Sequence, residues 1–202
     1  MRTLGVVLFP GFELLDVFGP LEAFGHLKKD FEIVMVAARP GPVPSAQGPR
    51  AVADHGFADC PRLDLLLVPG GIGTRTEVDN RALLDWLTAR ARDAEVTTSV
   101  CTGAALLARA GILDGRRATT NKRSFQWVVE QGPKVTWVPV ARWVDEGRVA
   151  TSSGVSAGID MALALIARLV GAEVAERVAQ GMEYRWAREA GEDPFAKLYG
   201  LG

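Results

Sequence analysis

The chain has 202 residues and a net charge of −1, from 23 Lys+Arg against 24 Asp+Glu, with 48% hydrophobic and 23% charged residues. That usage is ordinary for a globular protein and excludes a disordered chain; the length suits one domain spanning 1–202 with a sizeable core. No basic excess is available to neutralise phosphates, so nucleic acid is not an expected partner.

Leu4 to Phe9 is a short continuous apolar run ended by Pro10-Gly11, the pattern of a buried strand. It is too short for a signal-peptide core or a membrane span, so no membrane partner is expected. Phe12 to Leu27 carries Leu14, Leu15, Phe18, Leu21 and Phe24 near helical spacing, and Gly19-Pro20 predicts a kink or two short helices there. Phe31 to Ala38 reads as a second strand. The proline-rich segment Arg39 to Arg50 reads as a loop with a short edge strand or hairpin, and Ala51 to Phe57 as a short strand. Leu63 to Val68 is the clearest buried strand, ended by Pro69-Gly70-Gly71. Asp79 or Asn80 is placed to cap a helix reaching about Asp93, with Leu83, Leu84 and Leu87 inward.

Glu95 to Val100 is the next strand, and Gly103 to Ala110 a short apolar helix closed by Gly111. Ser124 to Gln131 predicts another short helix. Val135 to Val138, Arg142 to Val144 and Val149 to Thr151 read as strands, with a hairpin turn over Asp145-Glu146-Gly147-Arg148. Ser156 stands as N-cap of a long apolar helix, Ala157 to Val170, with Asp160 complementing its dipole. A more polar helix follows, from Glu173 to about Arg188. Strands alternating with helices predict an α/β fold with a mostly parallel sheet covered on both faces. Ligands gather beyond the carboxyl ends of such strands. Asp16, Gly70-Gly71 and Cys101 all follow strands in this sense.

Cys101 carries the main chemical signal. In Ser99-Val100-Cys101-Thr102-Gly103 a strand turns directly into a helix, the arrangement of a nucleophile elbow. A helix N-terminus favours a thiolate and offers the free amide of Thr102 to developing negative charge. An inert buried cysteine is the alternative reading. Gly71, in the Pro-Gly-Gly turn, is a second source of backbone amide that a ligand can approach closely. Asp16, flanked by Leu15, Val17 and Phe18, is a candidate acid with a raised pKa, and Glu13 is its competitor. Gly154 and Asn121 are candidates for a pocket wall near the thiol. Cys60 precedes Pro61 in a loop without such a context. His26 and His55 are the only histidines, and neither follows the elbow, which argues against a Cys–His peptidase or amidotransferase. Two cysteines and two histidines also exclude a disulfide scaffold and leave metal sets hard to assemble, so no metal is expected. Reduced thiols in the cytoplasm are the default.

The Val-Pro-Gly-Gly turn (68–71), Ser-Val-Cys-Thr-Gly (99–103), Leu-Leu-Asp-Val-Phe-Gly-Pro (14–20) and Gly-Val-Ser-Ala-Gly-Ile-Asp (154–160) together resemble the ThiJ/PfpI superfamily, over nearly the whole chain. The resemblance implies a flavodoxin-like three-layer sandwich, no cofactor, a small-molecule substrate and a homodimer. Phe12, Phe18 and Phe24 of the first helical segment are expected to contribute to that interface. Within the superfamily the isocyanide hydratase branch pairs an elbow cysteine with an aspartate of the first helix, matching Cys101 and Asp16. Branches that place His after the cysteine fit less well, since Thr102 stands there. AraC-type regulators share the Cys-Thr-Gly string, but no DNA-binding helices are seen up to Gly202. The implied activity is cysteine-dependent addition of water to an isocyanide. A glyoxalase-like or amidase activity, and a redox or small-molecule sensor using Cys101, remain alternatives.

Overall fold

A computed structural model describes residues 1–202. In chain order its elements are β1 (Arg2–Val7), α1 (Leu14–Gly25), β2 (Phe31–Val36), β3 (Gly41–Pro44), β4 (Arg50–Ala53), β5 (Leu65–Val68), α2 (Thr74–Glu77), α3 (Arg81–Asp93), β6 (Val96–Ser99), α4 (Gly103–Arg109), β7 (Arg117–Ala118), α5 (Phe125–Gln131), β8 (Thr136–Trp137), β9 (Trp143–Asp145), β10 (Val149–Ser152), α6 (Ala157–Leu169), α7 (Ala172–Gly181) and α8 (Phe195–Leu198). The central sheet has six strands in the order β2-β1-β5-β6-β10-β9. All its pairs are parallel except β10 with β9. Helices flank it in two groups, α1 with α6 and α7, and α3 with α4 and α5. This is the α/β sandwich expected.

The middle strands are apolar because both of their faces are covered. Every residue of β5 and β6 is buried. The threonines of β6 are tolerated there because hydroxyls find backbone acceptors, as Thr98 Oγ1 does on Leu66 O at 3.0 Å. Asn80 caps α3 as expected, its Oδ1 accepting from the Leu83 amide at 3.3 Å. The β3–β4 hairpin and the β9–β10 turn, with Gly147 at φ 80°, also stand as read.

Four readings need correction. Gly19-Pro20 does not split the first helix: α1 is continuous with Pro20 inside it. The pair instead makes a close crossing, because added side-chain atoms at Gly19 and Gly158 would meet Ile159 and Pro20. Ser156 is the N-cap of α6 by position only, since its hydroxyl makes no capping bond. Asp160 stands in the first turn of α6 as read, but complementing the dipole is not its whole role. It is fully buried, its Oδ2 accepts from Arg142 Nε at 2.7 Å, and its Oδ1 accepts from the Ala187 amide at 2.9 Å. The last long helix ends at Gly181, not near Arg188. The Asp160–Ala187 bond, with the Ala190 carbonyl accepting from the amides of Arg142 and Trp143, draws the following segment onto the body. Those tertiary bonds outweigh helix propensity.

Beside this clamp lies a second buried cation. Lys122 Nζ donates to Ala141 O at 2.6 Å and to Thr119 Oγ1 at 2.8 Å, and faces Asp193 Oδ2 at 3.9 Å. Burial pushes its pKa down to about 8. The pair ties the C-terminal segment to the strand ends near the elbow.

Candidate active site

The chain leaves β6 at Ser99 and enters α4 at Gly103. Between them Cys101 has φ 57°, in the left-handed region that non-glycine residues avoid. Two bonds hold it there. Its amide donates to Ser153 O at 3.1 Å, and its carbonyl accepts from Thr120 Oγ1 at 2.7 Å. Gly103 is needed because a Cβ there would strike the carbonyl oxygens of Val68 and Pro69. The Cys-Thr-Gly turn is thus locked by contacts from the end of β5, from Ser153 just past β10 and from Thr120 before α5.

Asp16 sits in the first turn of α1 and is fully buried. Its Oδ2 accepts from the Gly70 amide at 2.8 Å, while Oδ1 has no partner. A Cβ on Gly70 would lie 2.5 Å from Thr102 N and 2.9 Å from Asp16 Oδ2. Glycine at 70 therefore lets the first helix, the Pro-Gly-Gly turn and the elbow meet. The carboxyl and the thiol, from segments far apart in sequence, occupy one small space in which Cys101 is only 6% exposed.

Both groups are held toward their neutral forms. Burial pushes the Asp16 carboxyl well above the ordinary carboxylate range; the Gly70 amide opposes this, Glu13 adds to it, and a hydrogen bond with the Cys101 thiol opposes it a little. Burial, and then Asp16, push the Cys101 thiol up, with Glu13 adding a little. The amides of Thr102 and Val155 pull it down, but by less. The expectation that the helix N-terminus leaves a thiolate at rest is therefore reversed. α4 spans only Gly103–Arg109, and its end cannot match full desolvation beside a second acid.

Gly71 has φ 118° and is confined by Gly11 and Glu13. Its amide does not face the sulfur: it donates to Thr102 Oγ1 at 3.1 Å, a hydroxyl that also receives Thr74 Oγ1 at 3.1 Å. The amides on the sulfur belong to Thr102 and Val155. Val155 has φ 21°, a conformation a β-branched residue rarely takes, and its amide role was not legible from a sequence that gives no sign of such strain. Gly154 and Asn121 are brought together, with the Asn121 amide where a Cβ of Gly154 would be. The histidines stand elsewhere, His26 beside Glu22 and His55 beside Asp59. Glu13 is half-buried, bonded to Gln47. Of the three aromatic residues expected at an interface, Phe12 and Phe24 are core; only Phe18 is exposed, with Leu15.

Residues 2–168 match the DJ-1/PfpI family. The chain belongs to that family. It is 37% identical over 182 residues to an isonitrile hydratase of Pseudomonas putida, which covers 90% of this chain and 78% of that protein. It is 30% identical over 178 residues to the HTH-type transcriptional regulator CdhR of Pseudomonas aeruginosa, 86% of this chain but 52% of the regulator. The crystal structure of a ThiJ/PfpI family protein from Pseudomonas syringae superposes with a TM-score of 0.84 at 32% identity, over 91% of this chain and 75% of that one. The DJ-1/PfpI assignment bears out the resemblance read from the motifs, including its isocyanide hydratase branch. No helix is long and apolar enough to cross a membrane.

Proposed function

We propose that the protein hydrates an isocyanide to an N-substituted formamide, with Cys101 as nucleophile and Asp16 as proton carrier. The observation that carries the reading is the fully buried Asp16 carboxyl, with one oxygen unpartnered, in the same space as the elbow thiol. Similarity to an isonitrile hydratase supports the substrate class.

The chemistry needs one mobile proton and no leaving group in the first step. The Cys101 sulfur bonds to the isocyanide carbon while the thiol proton passes through Asp16 to that carbon, giving a thioimidate. Water then adds to the same carbon. As the water oxygen bonds to carbon, Asp16 gives its proton to the nitrogen and takes one from the water. The C–S bond breaks, a proton returns to sulfur through Asp16, and the formamide leaves. The Thr102 and Val155 amides stabilise negative charge on sulfur as its bonds form and break. A neutral resting pair suits this cycle, because the proton to be moved is already bound. Gly71 acts by fixing Thr102, and Gly154 with Asn121 forms the wall beside Val155.

Apolar side chains exposed on and near α1, namely Leu15, Phe18 and Ile72, support a homodimer formed at this face. Two unpaired cysteines support action in a reducing compartment such as the cytoplasm. Similarity to a transcriptional regulator favours one second reading, a small-molecule-binding protein without turnover. Incubation of purified protein with an aryl isocyanide separates them. Catalytic formamide production, lost in Cys101→Ala, is expected. Binding of the isocyanide by well-folded protein with no product would overturn the enzymatic reading.

A further inference from the structure

We propose that Arg75 selects isocyanides whose N-substituent carries a carboxylate. The proposal rests on the hydration reading and adds the substrate class to it. Arg75 lies in α2, the turn that follows Gly70-Gly71. Its neighbour Thr74 is buried, with its hydroxyl 2.7 Å from Gly71 O and 3.1 Å from Thr102 Oγ1, which pins α2 to the elbow. The guanidinium lies over Trp127, with Cζ 3.2 Å from the ring centroid, and Nη2 donates to Ser124 Oγ at 3.3 Å. Ser124 is held in turn by Asn121 Oδ1, which accepts from its amide at 2.9 Å. Asn121 packs on Gly154, next to the Val155 amide that faces the sulfur. Arg75 is thus joined to the site from both sides.

Its remaining edge has nothing to bond. Nη1 is buried and has no hydrogen-bond partner. No carboxylate acts on the guanidinium; the one titratable group near enough to act on it is the Cys101 thiol, which rests neutral. An unpaired buried donor calls for a partner. Held over an indole with Nη1 unbonded, the guanidinium keeps donor capacity for a carboxylate. The isocyano group and the formamide product are both neutral, and so is the resting Asp16–Cys101 pair. The positive edge therefore serves the substituent. A side chain that carries both stem and planar fork explains why arginine, rather than lysine, stands there.

The test compares isocyanoacetate with its methyl ester, on wild-type protein and on Arg75→Met and Arg75→Lys. The acid should be preferred over the ester by the wild type. In Arg75→Met the acid's kcat/KM should fall about 10–100-fold more than the ester's, chiefly through KM, the worth of one charge-assisted pair. Arg75→Lys should keep part of the preference. An equal loss on both substrates would assign Arg75 to the thiol and overturn the proposal, as would a wild type indifferent to the ester. A second arm needs no turnover: calorimetric binding of N-formylglycine and its methyl ester to Cys101→Ala, with and without Arg75→Met. Tighter binding of the acid, abolished by Arg75→Met, supports the proposal even if no isocyanide reacts, in which case only the hydration reading fails. Equal binding of acid and ester overturns it.

Discussion

Asp16→Asn should make the protein slower and more stable at once. The amide is isosteric with the carboxyl, and its oxygen can still accept from the Gly70 amide, now 2.8 Å from Oδ2. What disappears is the transferable proton. General acid–base catalysis is worth about 10²–10⁴-fold, or about 3–5 kcal/mol of barrier at 1.36 kcal/mol per decade. Stability moves the other way. The folded carboxyl titrates well above the ordinary carboxylate value of 3.8, because burial disfavours its charge. Below pH 3.8 both folded and unfolded chains hold the proton, and the contribution of Asp16 is fully present. As pH rises toward the folded pKa the unfolded chain alone releases its proton, and that stability is lost at about 1.4 kcal/mol per pH unit. Asparagine has no proton to lose. Wild type and variant should therefore melt together near pH 4 and separate at pH 7, with the variant higher by about 2–4 °C for each kcal/mol. Steady-state formamide production from an aryl isocyanide, with scanning calorimetry at both pH values, reads the two effects. Near-wild-type turnover in a folded variant would remove Asp16 from the mechanism and return Glu13 to consideration. A lower melting temperature at pH 7 would refute the raised carboxyl pKa.

Arg142→Met should leave Asp160 buried without its cation and cost about 3–5 kcal/mol in chemical denaturation, while the double variant with Asp160→Leu regains most of it; equal stability of single and double variants would contradict the pairing. Gly103→Ala should lose about 3 kcal/mol, at the upper end of overpacking costs, because its Cβ meets backbone carbonyls that have no rotamer to escape into; an unchanged unfolding midpoint would refute the elbow geometry. Labelling of Cys101 by iodoacetamide should keep rising beyond pH 9, since burial and Asp16 raise the thiol pKa, and Asp16→Asn should move the rise to lower pH; a plateau below pH 8 in the wild type would refute the neutral thiol. Sedimentation should give a dimer at micromolar protein that dissociates in Phe18→Glu, whereas a monomeric wild type would end the interface proposal.

What the chain determines by itself is what neighbouring residues impose on backbone. Leu65 to Val68 has to be a buried strand because it is uniformly apolar and ends at Pro69. Asn80 has to start a helix because its side chain bonds an amide three residues on. Cys101-Thr102-Gly103 reads as an elbow because a strand passes into a helix within these few residues, closed by a glycine. These are short-range steric demands, and short-range demands are written in adjacent letters. Asp16 was singled out for the same kind of reason, its apolar neighbours, although its hydrogen-bond donor Gly70 lies 54 positions away.

The tertiary structure decided the rest, because the remaining quantities are sums over distant segments. The thiol is neutral rather than ionised only once burial and Asp16 are weighed against the Thr102 and Val155 amides. The Gly71 amide is taken by a hydroxyl from the elbow, a bond across 31 positions. Asp160 looks like a dipole complement in its own helix and becomes half of a buried ion pair because Arg142 arrives from another strand end. Arg75 looks like one more surface cation until Trp127 lies under it and its edge is left without a partner. Local sterics act within a few bonds, whereas desolvation and charge act through space, so only the folded arrangement assigns them.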